Sequence, residues 1–152
     1  MKERFNFISR AILLVSIGLT LLGGVSCQKN YDISTLVDQV WTYSQEHAGG
    51  FTIHLPDFKE PVSGIMVSYA ATQNSQGKES LFKVVRHAME HEGYVGGWLD
   101  KETGILYFDS DRLFPEDQRD LAIAFAKANG QLVAYVLSTG EFIDITASHA
   151  GL

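Results

Sequence analysis

The sequence is poor in cysteine, since Cys27 is the only one among 152 residues. A single thiol excludes a disulfide within the chain and any metal site built from several cysteines. The sequence also lacks an excess of basic residues, and its formal charge is −6. An acidic chain repels phosphate backbones and anionic lipid headgroups, which argues against nucleic-acid binding and against electrostatic adsorption to a membrane. Any membrane attachment must therefore come from another source.

The N-terminal residues 1–26 are predicted to be a lipoprotein signal peptide. The first ten residues are net positive, and the apolar run 11–22 (AILLVSIGLTLL) suits an export signal but is short for a membrane span. Small residues then precede Cys27, and this resembles a bacterial lipobox, in which the cysteine carries the lipid. Gly24 stands where Leu is commonest, although looser lipoboxes are common in the Bacteroidetes. An ordinary cleaved signal or an uncleaved anchor helix are the alternatives.

Removal of this leader leaves 126 residues with 9 basic and 17 acidic side chains, a formal charge of −8. We expect residues 27–33 to be a tether, 34–146 a single domain, and 147–152 a frayed tail. Apolar periodicity and turn residues predict three helices and six strands. The helices are predicted at 34–47, from 74 or 75 to 92, and at 115–128; the strands are predicted at 51–55, 64–70, 94–99, 105–109, 131–137 and 141–145.

From residue 64 to residue 137 the predicted order is β-α-β-β-α-β. This is the ferredoxin-like order, so we expect an α+β fold, with an antiparallel sheet, helices on one face, an additional N-terminal helix and additional edge strands. Gly96 and Gly97 stand inside the predicted strand 94–99. Glycine weakens a strand, so the pair predicts a bulge or the close approach of another backbone.

The hairpin around residues 100–104 carries the candidate binding residues. Its aromatic side chains can form a face that binds a glycan or a partner peptide, or they can pack in the core beneath the helices. Nearby carboxylates, which include Asp111, can bind calcium or act as acid and base, but polar turns also require such residues without any site. The candidate binding set is Tyr94, Trp98, Asp100, Tyr107 and Asp109.

The segment His87-Ala88-Met89-Glu90-His91 matches the H-x-x-E-H pattern of inverted zinc peptidases. In those enzymes two histidines one helical turn apart bind zinc and the glutamate activates water. Here the helical wheel places Glu90 opposite the apolar stripe, so it should face solvent. A polar helix face with two solvated histidines is the alternative to a metal site at His87, Glu90 and His91.

Four short segments between residues 72 and 145 carry a family resemblance. They are Thr72-Gln73-Asn74-Ser75 with Gly77-Lys78-Glu79, Gly96-Gly97-Trp98-Leu99-Asp100, Tyr107-Phe108-Asp109-Ser110, and Asn129-Gly130-Gln131. Together they resemble a family of uncharacterised small proteins of gut Bacteroidetes and their phages or mobile elements. The resemblance implies no activity and no cofactor, and its phage-like members look cytoplasmic, whereas a leader is predicted for this chain.

The sequence thus predicts a lipid-anchored binding or inhibitor-like module of the cell envelope, without catalysis and without a cofactor. Its membrane contact would be the lipid on Cys27, at the periplasmic side or the outer surface of the bacterial outer membrane, and its partner would be a protein or a glycan. The alternatives are a small metal-dependent envelope hydrolase that uses the H-x-x-E-H helix and a protein derived from a phage or mobile element that acts on another envelope component.

Overall fold

The computed structural model describes residues 31–146, which contain three α-helices and seven strands. The leader, Cys27 and residues 147–152 lie outside the described residues, so the predictions about them stay predictions. The elements are α1 (Ile33–Glu46), β1 (Gly50–His54), β2 (Ile65–Ser68), β3 (Ser75–Gln76), α2 (Gly77–Glu90), β4 (Tyr94–Leu99), β5 (Leu106–Phe114), α3 (Arg119–Ala128), β6 (Val133–Val136) and β7 (Glu141–Asp144).

The described strands form one antiparallel sheet in the order β1-β4-β5-β2-β6-β7, and the short strand β3 also pairs with β5. From β2 to β6 the chain runs β-α-β-β-α-β apart from the short β3, and the four main strands lie side by side as β4-β5-β2-β6. The first strand of the unit thus lies between its third and fourth strands, as in the ferredoxin-like arrangement. The predicted α+β fold is confirmed, with β1 and β7 extending its two edges.

The helices pack on one face of this sheet. Side chains alternate between the two faces of a strand, so Phe108 and Phe114 of β5, an even number of residues apart, both lie on the helix side. Phe108 belongs to the core under α1 and α2, whereas Phe114 belongs to the core under α3. The buried residues of α2 recur at helical spacing and are Leu81, Val84, Val85 and Ala88. Full burial of each large aliphatic side chain contributes about 1.5–3 kcal/mol, so this stripe fixes α2 on the sheet.

All three helix starts differ from the prediction. Helix α3 begins at Arg119 rather than at residue 115, and a 3₁₀ helix, Glu116–Gln118, precedes it. Asp32, rather than Ser34, caps α1, because its carboxylate accepts hydrogen bonds from the Ser34 backbone N–H at 3.0 Å and the Thr35 hydroxyl at 2.7 Å. Helix α2 begins at Gly77 rather than at residue 74 or 75. The preceding residues are held in β3 by pairing with β5, which competes with the helical conformation.

Strand β5 is also longer than predicted, since it continues to Phe114 instead of ending at residue 109. Pairing with β2, in which Asp111 is opposite Ser68, keeps the chain in the extended conformation beyond residue 109. The expectation of solvated turn acids is therefore wrong for Asp109 and Asp111, which lie inside the sheet and are buried. It is confirmed for Asp100, whose carboxylate accepts hydrogen bonds from the next turn residues at 2.9 and 2.7 Å.

The glycine pair on β4 makes no bulge, because its register with β1 and β5 is regular. The close approach comes instead from side chains, and it comes from both faces. A Cβ at Gly97 would overlap the Phe51 ring on the helix side, and a Cβ at Gly96 would overlap the Asp111 carboxylate on the other side.

None of the three helices within residues 31–146 has the length and apolar content required to cross a membrane.

Candidate binding site

The face of the sheet opposite the helices, here called the open face, carries a concave cavity of about 1050 Å³. Its walls come from six strands, all but β3, and from the loops beside them. The side chains and backbone positions that matter most are Ser68, Gly96, Trp98, Tyr107, Asp109 and Asp111. Ligand pockets typically enclose ~300–1,000 Å³, so this cavity is large enough for a small molecule or part of a larger partner.

Trp98 and Tyr107 form an aromatic pair on the open face. They are directly opposite each other on β4 and β5, and their rings stack with centroids 4.9 Å apart and planes at 21°. Trp98 nevertheless remains 51% exposed. A core tryptophan would bury far more of its surface, so the alternative prediction of core packing is wrong for Trp98.

Two carboxylates lie beside this aromatic pair. Asp109 and Asp111 are 8% and 6% exposed, and both belong to the cavity lining. Burial raises the pKa of Asp109 to about 6, and a hydrogen bond with the Trp98 side chain opposes that rise. Burial raises the pKa of Asp111 to about 7; a hydrogen bond with Ser68 opposes the rise, and the nearby Asp109 charge adds to it. Both groups therefore lose their protons at a higher pH than exposed aspartates do, Asp109 near pH 6 and Asp111 near pH 7.

Gly96 leaves the space that the Asp111 carboxylate occupies. Gly96 is opposite Asp109 across β4 and β5, and a side chain there would occupy the space that the Asp111 Oδ2 atom fills. The backbone of Gly96 does not require a left-handed conformation, because its φ lies outside the range that favours glycine. Glycine is required here for space, because the Asp111 carboxylate occupies the volume that a Cβ would fill.

The structure brings together three of the five predicted binding residues, namely Trp98, Tyr107 and Asp109. Tyr94 lies on the same face, opposite Asp111 and with its ring 5.0 Å from that of His54, but it is not part of the cavity lining. Asp100 lies in the hairpin turn, away from the cavity.

Asp111, Ser68 and Gly96 were missing from the predicted set. The alternation of Tyr107, Asp109 and Asp111 along β5 would have placed all three on one face, had β5 been given its full length. Ser68 could not have been found in this way, because it reaches the site through the pairing of β2 with β5, which joins residues far apart in the sequence.

The predicted metal residues lie near the C-terminal end of α2, on the helix side of the sheet. The His87 and His91 rings stack 4.0 Å apart, and the Nδ1 atoms lie 2.7 Å from the Ser110 Oγ and 2.7 Å from the His87 carbonyl oxygen, respectively. Glu90 is exposed and forms an ion pair with Arg86. Within residues 31–146 no group of three or more His, Cys, Asp or Glu side chains is arranged to hold a metal ion.

The Ser110–His87 hydrogen bond resembles a nucleophile and its base, but its surroundings give it a structural role. Ser110 is fully buried beneath α2, and its hydroxyl also lies 3.2 Å from the Thr72 hydroxyl. The Thr72 hydroxyl in turn accepts a hydrogen bond from the Ser110 backbone N–H at 2.9 Å. Burial lowers the pKa of His87, and the adjacent His91 lowers it further. This network satisfies buried polar groups between β5 and α2.

Comparison of the chain with protein-family models, with curated proteins and with solved structures finds no match.

Proposed function

We propose that this chain is a lipid-anchored binding module of the bacterial cell envelope and that its open face is the binding surface. The observation that carries the proposal is Trp98, a large aromatic side chain that is half exposed beside a cavity of about 1050 Å³. Exposed aromatic residues are common anchors of binding sites because they bury a large area at little cost in conformational entropy. The binding step requires no catalysis.

The envelope location is supported by the leader and by Cys27, and the resemblance to Bacteroidetes proteins agrees with the loose lipobox. We propose anchoring in the outer membrane through a lipid on Cys27. No observation within residues 31–146 favours a metal-dependent hydrolase or a phage-derived protein over the binding module, and we propose neither.

The binding surface is tested by capture of an envelope component on the full-length chain. Trp98→Ala should abolish capture from an outer-membrane and periplasmic extract, because it removes the exposed ring. Phe82→Ala is the matched control, since Phe82 on α2 is similarly exposed, at 47%, on the helix side. Capture that both variants retain equally, or that both lose, would contradict the proposal.

A check of folding belongs to this test. Thermal unfolding of both variants should remain close to that of the unsubstituted chain, because each truncated side chain is about half exposed. If Trp98→Ala lowers the unfolding temperature, Trp98→Gln replaces it, because glutamine retains a side chain of intermediate length against Tyr107 while removing the aromatic face. The same loss of capture is expected.

The anchor is tested separately by metabolic labelling with palmitate. The chain should incorporate the label and fractionate with the outer membrane, and Cys27→Ala should abolish both, because no other thiol is present in the sequence. Globomycin, which blocks lipoprotein signal peptidase, should lead to accumulation of the unprocessed chain. Label that persists in Cys27→Ala would show that the anchor prediction is wrong.

A further inference from the structure

Asp109 and Asp111 are buried carboxyl groups for which residues 31–146 provide no counter-charge. The ion pairs of the described residues involve other side chains, and neither aspartate takes part in one. Aspartate is seldom so deeply buried unless a positive charge is paired with it, because removing a carboxylate from water is costly. Their hydrogen-bond partners, Trp98 and Ser68, are neutral. Above about pH 7, where both carboxyl groups are ionised, the described chain supplies no positive charge to balance them.

The rest of the cavity lining is also acidic and contains no basic side chain of the described chain. Glu60 is the third carboxylate in the lining, and no Lys, Arg or His residue of the described chain is part of it. The nearest rings, Trp98 and Tyr107, present π-electrons, which attract cations when a ring face is accessible. This composition disfavours an anionic ligand and favours a cationic one.

A metal ion fits this composition poorly. Calcium takes about six to eight oxygen ligands, roughly three to four times what two aspartates supply when each binds through one oxygen. The described residues contain no cluster of three or more metal-ligating side chains. An organic cation needs fewer oxygen ligands, and its carbon atoms can contact the aromatic wall. The cavity volume of about 1050 Å³ also matches a small molecule.

We infer that the open face binds a small alkylammonium compound, with its ammonium group against Asp109 and Asp111 and its carbon chain against Trp98. This inference rests on the proposed binding function of the open face. The ammonium group supplies the missing counter-charge, and Trp98 supplies both apolar contact and a hydrogen bond that helps to hold Asp109. Gly96 contributes by leaving the space in which Asp111 lies.

Binding should depend on pH in a defined direction. Because the pKa values of Asp109 and Asp111 are raised to about 6 and about 7, protons compete with the cation as pH falls. Affinity should therefore decrease from pH 8 to pH 5, by up to about tenfold per pH unit for each proton displaced. The other titratable groups on this part of the open face are Glu60 and Tyr135 in the cavity lining, Tyr107 on β5, Tyr94 on β4 and His54 beside Tyr94 on β1. Ser68 on β2 and Thr52 on β1 are uncharged.

The test is isothermal titration of the full-length lipidated chain in detergent with 1,5-diaminopentane, and with 1,5-pentanediol as the uncharged probe of equal length. At pH 8 we expect the diamine to bind and the diol not to bind. Asp111→Asn and Asp109→Asn should each weaken diamine binding roughly thirtyfold or more, because each removes one partner of a buried charge pair. The matched control is Asp100→Asn, which removes an exposed carboxylate from the same hairpin and should leave the affinity unchanged.

The possible outcomes separate this inference from the proposed function. If the diol and the diamine bind equally and Trp98→Ala abolishes the binding of both, the inference that the ligand is a cation is wrong. The open face would still be a binding surface. Failure of both probes to bind would also overturn it, while Trp98-dependent capture from the extract tests the binding surface independently. If a lysine-containing peptide binds more than about ten times tighter than the diamine, the ligand is a polypeptide, and the inference of a small-molecule ligand is wrong.

Discussion

Gly96 and Gly97 are neighbours on β4, yet each leaves space on a different face of the sheet. On the helix side, Gly97 admits the Phe51 ring, whose centroid lies 6.4 Å from that of Phe108 and 5.3 Å from that of Tyr43. On the open face, Gly96 admits the Asp111 carboxylate. One glycine therefore serves the core and the other serves the candidate site.

This division predicts different effects of two similar substitutions. Gly97→Ala should reduce the free energy of unfolding by about 1–3 kcal/mol, because the Phe51 ring is held among other rings and cannot move away freely. Gly49→Ala is the control, since a Cβ there meets nothing within 4 Å and its φ is outside the left-handed range. Urea denaturation measures both variants. Equal midpoints for the two would contradict the assignment of Gly97 to the core.

At the scale of elements, the sequence predicts the bounds of a helix correctly where the apolar periodicity is long. It fails where strand pairing determines the bounds. Helix α1 was predicted within a residue at each end because its apolar stripe covers four turns. The start of α2 and the end of β5 were wrong for one reason: β3, β2 and β4 pair with β5 from distant parts of the chain. Composition at the strand ends was polar, and only these partners keep Asp109-Ser110-Asp111 extended.

The dependence on long-range pairing also explains which residues of the candidate site could be predicted from the sequence. The aromatic residues and Asp109 could be selected from the hairpin, because turn and strand are local features. The importance of Asp111 depends on its burial between Ser68 on β2 and Gly96 on β4, which no local pattern reveals. His87 shows the converse, because a local motif suggested a metal ligand, whereas tertiary packing directs its Nδ1 atom to Ser110 at 2.7 Å.

At the scale of the whole molecule, the acidic residues fall into two groups with opposite effects on stability. The exposed Asp32 and Asp100 have lowered pKa values because they accept hydrogen bonds, first from threonine hydroxyls, so their contribution is lost as pH falls through the folded-state pKa. The buried Asp109 and Asp111 have raised pKa values. Their contribution is present below the unfolded-state value near 4 and is lost as pH rises through about 6 and about 7.

We therefore predict that Asp111→Asn stabilises the ligand-free chain at pH 8 and has little effect at pH 4, where the carboxyl group is protonated in the folded state. A raised pKa of this size corresponds to a few kcal/mol at pH 8, since each pKa unit is worth about 1.4 kcal/mol. The unfolding temperature of the variant should exceed that of the unsubstituted chain by roughly 5 °C or more at pH 8. His87, whose pKa is lowered mainly by burial, changes stability in the opposite direction, but it is present in both proteins and cancels in their difference.

Asp100→Asn controls this measurement, because it removes an equal charge from an acidic chain, whose formal charge is −6, without removing a buried one. If general charge repulsion made the chain less stable at high pH, Asp100→Asn would gain stability relative to the unsubstituted chain as pH rises, in parallel with Asp111→Asn. Because the Asp100 carboxylate accepts hydrogen bonds within its turn, we expect Asp100→Asn instead to lose stability at pH 8. If burial of Asp111 is the cause, only Asp111→Asn raises the unfolding temperature at pH 8, and its advantage decreases as pH is lowered through 7. An advantage independent of pH would mean that Asp111 is ionised in the folded state across this range, and the inference of a missing counter-charge would then have to rest on geometry alone.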